Sequence, residues 1–181
     1  MNNHIEVIEN FLSKDECNHI LSQCKKELKL SIAETAKGIV KDRKSLVGWI
    51  EDLNEVNEKL ISILKYSYDI NGMEVTGLGP FQFTEYKVGD YFNWHTDRKE
   101  DIYQDRFTST VIQLNDDYNG GLLEIKDKKG NLIPLEQKMG SLYVFDSGLK
   151  HRVTPVLNGI RYSLVNWVSL VKTNPKKQSL I

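Results

Sequence analysis

The sequence predicts an α+β protein, mainly β, in which N-terminal helices support a β core. Two observations carry this. Apolar residues recur at helical spacing behind capping signals only in the first seventy or so residues, whereas from about residue 75 short apolar runs are broken by Gly, Asn and Asp. No internal repeat or low-complexity stretch interrupts either half.

Ser13-Lys14-Asp15-Glu16 has the form of a capping box, in which each end residue's side chain satisfies the other's backbone N–H. Behind it Cys17, Ile20, Leu21, Cys24 and Leu28 make one apolar helical face. A second helix is expected from Asp52, with Glu55 three residues on, a stripe of Leu53, Val56, Leu60, Ile63 and Leu64, and a stop at Asn71-Gly72. Between the helices, residues 31–48 read as an exposed loop with a basic knot at Lys41-Asp42-Arg43-Lys44, feeding a short strand that ends near Trp49. Strands are then expected at Phe81–Tyr86, Tyr91–His95, Thr108–Leu114, Leu122–Lys126, Leu132–Leu135, Ser141–Phe145, Arg152–Val156 and Ile160–Leu170, a number and spacing that indicate a sandwich or barrel. One domain over residues 1–181 is expected, with buttress and loop at 1–75, core at 76–170 and a polar tail at 171–181.

Composition narrows the function. The 181 residues carry 24 basic and 25 acidic side chains, so no basic excess points to nucleic acid or an anionic membrane. No apolar run approaches the roughly 20 residues that span a bilayer, and the first residues lack the layout of a signal peptide. Cys17 and Cys24 lie seven apart on one helix, roughly 10 Å along its axis, too far to bridge. Reduced thiols in a cytoplasmic protein are therefore expected, with oligomeric state left open.

Four histidines can be weighed one by one. His4, near one end, and His19, on the first helix, read as surface or boundary residues. His95 is followed by Asp97, and on an extended segment such a pair projects to one face. His151 comes near the start of a later strand. Two imidazoles and one carboxylate match the facial triad of non-haem Fe(II) oxygenases. A lone His-x-Asp is more often structural, and what shifts the balance is Arg161 in Gly159-Ile160-Arg161-Tyr162-Ser163. A guanidinium entering a β core needs a carboxylate partner, either an internal acid or the distal carboxylate of a bound dicarboxylic acid, with Ser163 on the same face.

Taken together, Tyr86-x-x-Gly89, His95-x-Asp97, Asn119-Gly120-Gly121-Leu122-Leu123-Glu124-Ile125, His151-Arg152-Val153-Thr154-Pro155-Val156 and Gly159-Ile160-Arg161-Tyr162-Ser163 with Trp167 resemble the Fe(II)- and 2-oxoglutarate-dependent dioxygenases, and within them the prolyl hydroxylase-like, PKHD-type branch. The likeness is strong over residues 80–170 and weak back through Asp42-Arg43-Lys44-Ser45. It implies a double-stranded β-helix, or jelly roll, with His95, Asp97 and His151 on iron and Arg161 on the C5 carboxylate of 2-oxoglutarate. It also implies O2 as co-substrate, succinate as product and ascorbate as a candidate reductant. A geometric condition follows: if Asn158-Gly159 closed a simple hairpin, His151 would face Asn166 and point away from Arg161. Both share a pocket only if the chain crosses between opposing sheets, as in a jelly roll.

Further residues carry paired readings. Tyr86 stands where the family often offers a phenol to 2-oxoglutarate, or is a core tyrosine. Gln113, the amide in an apolar strand, departs from the aromatic or hydroxyl residue common there; it must find partners, and the co-substrate carboxylate is one. Trp167 walls the pocket or fills the core. Gly120-Gly121 serves a turn rather than a phosphate, since no helix follows. The charged segment Arg98–Arg106 and the loop at 36–48 are candidate lids, with Arg43 and Arg98 as candidate substrate contacts.

The activity expected is hydroxylation of an unactivated C–H bond on a peptidyl proline, or of a free small molecule. Nucleic-acid repair is disfavoured because Trp167 stands where repair-type relatives carry a second arginine. A zinc hydrolase could use the same three ligands but gives Arg161 no task, and a silent jelly-roll binding module would not need all four groups.

Overall fold

A computed structural model describes residues 5–35, 38–39, 42–69, 73–98, 106–133 and 135–172. In chain order the elements are β1 (Ile5–Ile8), α1 (Lys14–Glu27), β2 (Ser31–Ile32), β3 (Glu34–Thr35), β4 (Gly38–Ile39), β5 (Arg43–Lys44), β6 (Leu46–Ile50), α2 (Asn54–Asp69) and β7 (Met73–Leu78). They continue with β8 (Phe81–Tyr86), β9 (Tyr91–His95), β10 (Thr108–Gln113), β11 (Asn119–Gly120), β12 (Leu123–Lys126) and β13 (Leu132–Ile133). The last four are β14 (Leu142–Asp146), β15 (His151–Val153), β16 (Val156–Asn158) and β17 (Arg161–Lys172).

The capping box forms as read: Ser13 Oγ accepts from the Glu16 N–H at 3.2 Å while Glu16 Oε2 accepts from the Ser13 N–H at 2.7 Å. Helix α1 then buries Cys17, Ile20 and Cys24, and both thiols are free. Helix α2 starts two residues later than the sequence suggests. The Leu53 carbonyl accepts the first N–H groups, from Val56 and Asn57, and Asp52 takes the Asn57 amide instead of capping the backbone. The expected stop at Asn71-Gly72 lies outside the described residues.

Both helices pack on one face of an eight-stranded antiparallel sheet, ordered β1-β14-β10-β17-β8-β6-β2 with β7 also paired to β17. Alternation along the strands assigns the faces. On β17 Tyr162, Leu164 and Val168 join the helices' Leu60 and Leu64 in the larger core, while Arg161, Ser163, Val165 and Trp167 face the other way. A fully buried leucine such as Leu60 contributes about 1.5–3 kcal/mol through burial. Opposite lies a second sheet, β13-β12-β15-β9-β5, and Val111, Ile125, Tyr143 and Phe145 fill the space between them.

The crossover condition is met. His151 on β15 pairs with His95 and Ile125 in the smaller sheet, while Arg161 opens β17 opposite Tyr86 in the larger one. The single strand expected over Arg152–Val156 is two. Pro155 has no N–H to donate, and after it β16 pairs with β11 in a separate ribbon. Strand β1 had no turn signal to mark it and belongs to the main sheet through β14. Strand β7, whose Gly77 disguises it, pairs with the far half of β17 through a register shift. The N-terminal third is thus a helical buttress that also lends β1, β2 and β6 to the sheet. Among the described residues no helix is long and apolar enough to cross a membrane.

Candidate active site

Strand β9 ends at His95, and the chain bends so that Asp97 folds back over it; the N–H groups of Asp97 and Arg98 both donate to the Ser147 carbonyl, at 3.0 and 3.1 Å. His151 arrives from β15. One ligand atom from each of the three residues lies within 4.8 Å of the others. His95 Nδ1 lies 2.7 Å from the Asn93 carbonyl and His151 Nδ1 2.9 Å from the Leu149 carbonyl. A carbonyl only accepts, so each Nδ1 carries a proton and each Nε2 turns inward, where the neutral form of the ring offers its lone pair. Those Nε2 atoms lie 3.6 and 3.4 Å from Asp97. Phe92 stacks on the His95 ring at 3.5 Å between centroids and Phe145 sets its edge to His151 at 4.8 Å, so neither imidazole is free to turn.

A hydroxyl relay orients the carboxylate. Ser109 Oγ donates to Asp97 Oδ2 at 2.6 Å, so the Ser147 hydroxyl, 2.8 Å away, must donate to Ser109. Burial and the charge of His151 hold the His95 pKa down at about 3. Burial pulls His151 down too, but Asp97 outweighs it and the net shift is upward. Burial works to raise Asp97, and the two imidazoles and Ser109 overcome it, holding the carboxyl below its usual range. Two lone pairs and an ionised carboxylate, braced by hydrogen bonds behind them, suit a divalent first-row metal.

The triad opens into a cavity of about 230 Å³ whose wall includes Tyr86, Arg161, Ser163 and Trp167. Arg161 is 1% exposed. Its Nη1 donates to Ser163 Oγ at 2.9 Å, and its Nε and Nη2 are buried without a partner. Among the described residues no carboxylate pairs with it, so the internal-acid reading of Arg161 finds no support there. A buried guanidinium left short of acceptors is costly, and a carboxylate entering the cavity would complete it. The site therefore fits a keto-diacid that reaches from a metal at the triad to Arg161.

Tyr86 lies under the guanidinium, 5.4 Å from its ring centroid. Gln113 is placed differently from the expectation. Its amide N–H groups donate to the Asn115 and Tyr162 carbonyls, its oxygen alone is unpartnered, and it is not part of the cavity wall. It has no donor left for a carboxylate. A residue the sequence did not single out stands nearby. The Tyr118 hydroxyl is buried without a partner beside the Arg161 guanidinium, and only its place in the Asp116–Gly121 turn next to the Gly pair could have hinted at it.

On the solvent side Trp49 and Trp167 tilt toward one another with centroids 6.1 Å apart, and Arg106 lies over Trp167 at 3.8 Å. Arg43 lines the same wall. Arg98 does not: it pairs with Asp146 at 2.9 Å and pins the turn after the metal motif. Of the two candidate lids, residues 99–105 and residues 36, 37, 40 and 41 lie outside the described residues, as does His4. His19 is exposed on α1, as read.

A double-stranded β-helix with two imidazoles, a carboxylate and a buried arginine around one cavity defines the class: a jelly-roll protein with a candidate mononuclear metal centre. Residues 81–169 match the family model of the 2OG-Fe(II) oxygenase superfamily. The chain belongs to that superfamily. A PKHD-type hydroxylase of Thermosynechococcus vestitus is 30% identical over 149 residues, covering 78% of this chain and 66% of that protein. A Synechococcus relative of the same name is matched over 45% of its length, so the chain spans roughly half to two-thirds of these curated relatives. Among solved structures, a prolyl-4-hydroxylase from Pseudomonas putida superposes with a TM-score of 0.70 at 23% identity, covering 93% of both chains. A Trichoplax adhaerens prolyl hydroxylase in complex with a peptide fragment of the hypoxia inducible factor oxygen degradation domain gives 0.76 at 20% identity, over 93% of this chain and 84% of that one.

Proposed function

We propose that this protein, acting as a single unit over residues 1–181, is an Fe(II)- and 2-oxoglutarate-dependent hydroxylase of a C–H bond, with a peptidyl proline as substrate and succinate as co-product. The observation that carries the reading is Arg161, buried, short of acceptors and in the wall of the same cavity as a ready-made His-Asp-His set. The peptide substrate is supported by the fold shared with prolyl hydroxylases, one of them in complex with a peptide.

In this reading His95, Asp97 and His151 hold Fe(II), and Arg161, with Ser163 and Tyr86 behind it, holds the distal carboxylate of 2-oxoglutarate. When bound, these cofactors with O2 supply the oxidation itself. The chain's own work is placement and shielding. Ser109 and Ser147 fix the carboxylate, the Asn93 and Leu149 carbonyls fix both imidazoles, and Arg161 sets the orientation of the keto-diacid along the cavity. Val111, Leu123, Val153 and Val165 give the wall its aliphatic part, which limits water near the reacting centre. Trp167 forms the side from which a substrate ring would approach. Gln113 and Arg98 take no part.

The test is incubation of the purified protein with Fe(II), 2-oxoglutarate and a proline-containing peptide library. Succinate should form, a peptide should gain the mass of one oxygen atom, and both should vanish in H95A and D97A. Succinate without any modified peptide would remove the peptide assignment and turn attention to free small molecules. Activity sustained by zinc alone would point to a hydrolase instead.

A further inference from the structure

Arg43 reaches the cavity from the edge of the smaller sheet. In the pairing of β5 with β9 it sits opposite Phe92, and its guanidinium lies over the Phe92 ring at 4.7 Å. That ring also stacks on the metal-site imidazole of His95, at 3.5 Å between centroids. Arg43, Phe92 and His95 thus form a stack that ends at the candidate metal centre. The guanidinium is held at two nitrogens as well. Nε donates to Ser45 Oγ at 2.7 Å and Nη2 to Gln82 Oε1 at 3.0 Å, and both acceptors are themselves buried, at 4% and 7% exposure.

All of these partners are neutral, and no described carboxylate forms an ion pair with Arg43. The contrast with its neighbour is informative, since Lys44 pairs with Asp90 at 2.9 Å. A long cationic side chain loses rotamer freedom when it is oriented this fully. Fixing it on neutral groups in a half-buried wall leaves its charge for something that enters from outside. Within the proposed complex Asp97 faces the metal and Arg161 the distal carboxylate, while the wall also carries Asp42, next to Arg43 in the chain, and Arg106, over Trp167. A second donor faces the same need. Trp167 lines the same cavity, and its buried indole N–H has no acceptor among the described residues.

We infer that Arg43 is a specificity-determining residue for a carboxylate carried by the substrate, held within one cavity's reach of the carbon to be hydroxylated. The inference rests on the hydroxylase reading above and names the class of molecule it acts on. The planar fork and the carboxylate are complementary, and the tilted pair Trp49 and Trp167 offers the aliphatic part an apolar face. The carboxylate has two sources with the same chemistry: an Asp or Glu side chain close to the target residue, or a terminal or free acid.

Matched probes separate these. Proline peptides carrying Glu, or its isostere Gln, at each position around the proline are titrated alongside proline compounds with free-acid or amide ends. Binding is read from intrinsic tryptophan fluorescence, both in the presence of 2-oxoglutarate with Mn(II) and in metal-free protein. At least one acid should bind about tenfold or more tightly than its amide, the size expected when a charge-assisted hydrogen bond is gained. The advantage should shrink as salt is raised and fall to near unity in R43Q. R43K keeps the charge without the fork, so it should retain only part of the advantage; it also reports in place of R43Q if that variant melts early.

A side-chain acid giving the effect assigns an acidic peptide, and a terminal or free acid giving it assigns a small acid or a chain end. Acids and amides binding alike, or an acid advantage that survives both substitutions, overturns the assignment. Succinate formation without an acid preference would reject this inference alone, whereas an Arg43-dependent acid preference without succinate formation would reject the oxygenase reading alone.

Discussion

Tyr118 and Arg161 meet over the missing side chain of Gly121. A Cβ on that glycine would lie 3.1 Å from Arg161 Cδ and 3.2 Å from Tyr118 Cε2, and the residue has φ +59°. Gly121 is therefore required twice, for a left-handed backbone and for the space in which a phenol and a guanidinium come together. The Tyr118 hydroxyl is not itself in the cavity wall, but it lies beside Arg161 with no hydrogen-bond partner among the described residues, which makes it a candidate second donor to a carboxylate held there.

From this pair, Tyr118→Phe should weaken 2-oxoglutarate binding about tenfold by calorimetry while leaving the melting temperature close to wild type, since the hydroxyl has no internal bond to lose. Gly121→Ala should lower both. The left-handed backbone alone costs about 1–2 kcal/mol for a residue with a Cβ, and the crowding displaces Arg161. An unchanged affinity in Tyr118→Phe would remove the phenol from the site.

Arg161 should show opposite effects on binding and on stability. Arg161→Met is expected to reduce 2-oxoglutarate affinity on the order of a hundredfold or more, because two charge-assisted hydrogen bonds vanish. The ligand-free variant should melt no lower than wild type, since an incompletely satisfied buried charge has been exchanged for an apolar chain of similar reach. A large drop in the ligand-free melting temperature would show that Arg161 is a structural residue.

Ser109→Ala deletes the hydroxyl that orients Asp97. Mn(II) or Fe(II) affinity should fall about 10- to 100-fold, the usual cost of losing a partner behind a metal ligand. Ser147→Ala acts one bond further back and should cost less. Equal affinities across wild type and both variants would mean that the relay does not tune the centre.

Stability in acid should depend on Glu16. Its bonds to Lys59 and to Ser13 lower its pKa from 4.5 to about 2. A carboxyl whose folded pKa is depressed stabilises above its unfolded value and loses that contribution as pH falls through the folded one. Wild type should therefore melt above Glu16→Gln at pH 7, with the gap closing between about pH 4.5 and pH 2. A gap that persists at pH 2 would assign it to packing.

Much of the site could be read before any fold was known, and what could not be read has one cause. Capping is a local rule, so Ser13 and Glu16 were legible. The alternation of Arg161, Ser163, Val165 and Trp167 is local too, and it assigns one face to the cavity. Gln113 and Arg98 make their described contacts with partners far along the chain, the Tyr162 carbonyl for one and Asp146 for the other, which no local pattern encodes. Tyr118 escaped notice because a buried hydroxyl in a polar turn leaves no periodic mark.

The sequence by itself determined the chemistry on offer: two imidazoles, a carboxylate and a guanidinium, each at a spacing that short-range backbone geometry can interpret. The tertiary structure decided that they share a cavity, by carrying the chain from the smaller sheet at His151 to the larger one at Arg161. It also decided that, among the described residues, no carboxylate pairs with Arg43 while Asp90 pairs with Lys44. Such outcomes depend on strand register and sheet crossing between residues distant in sequence, and no local pattern encodes either.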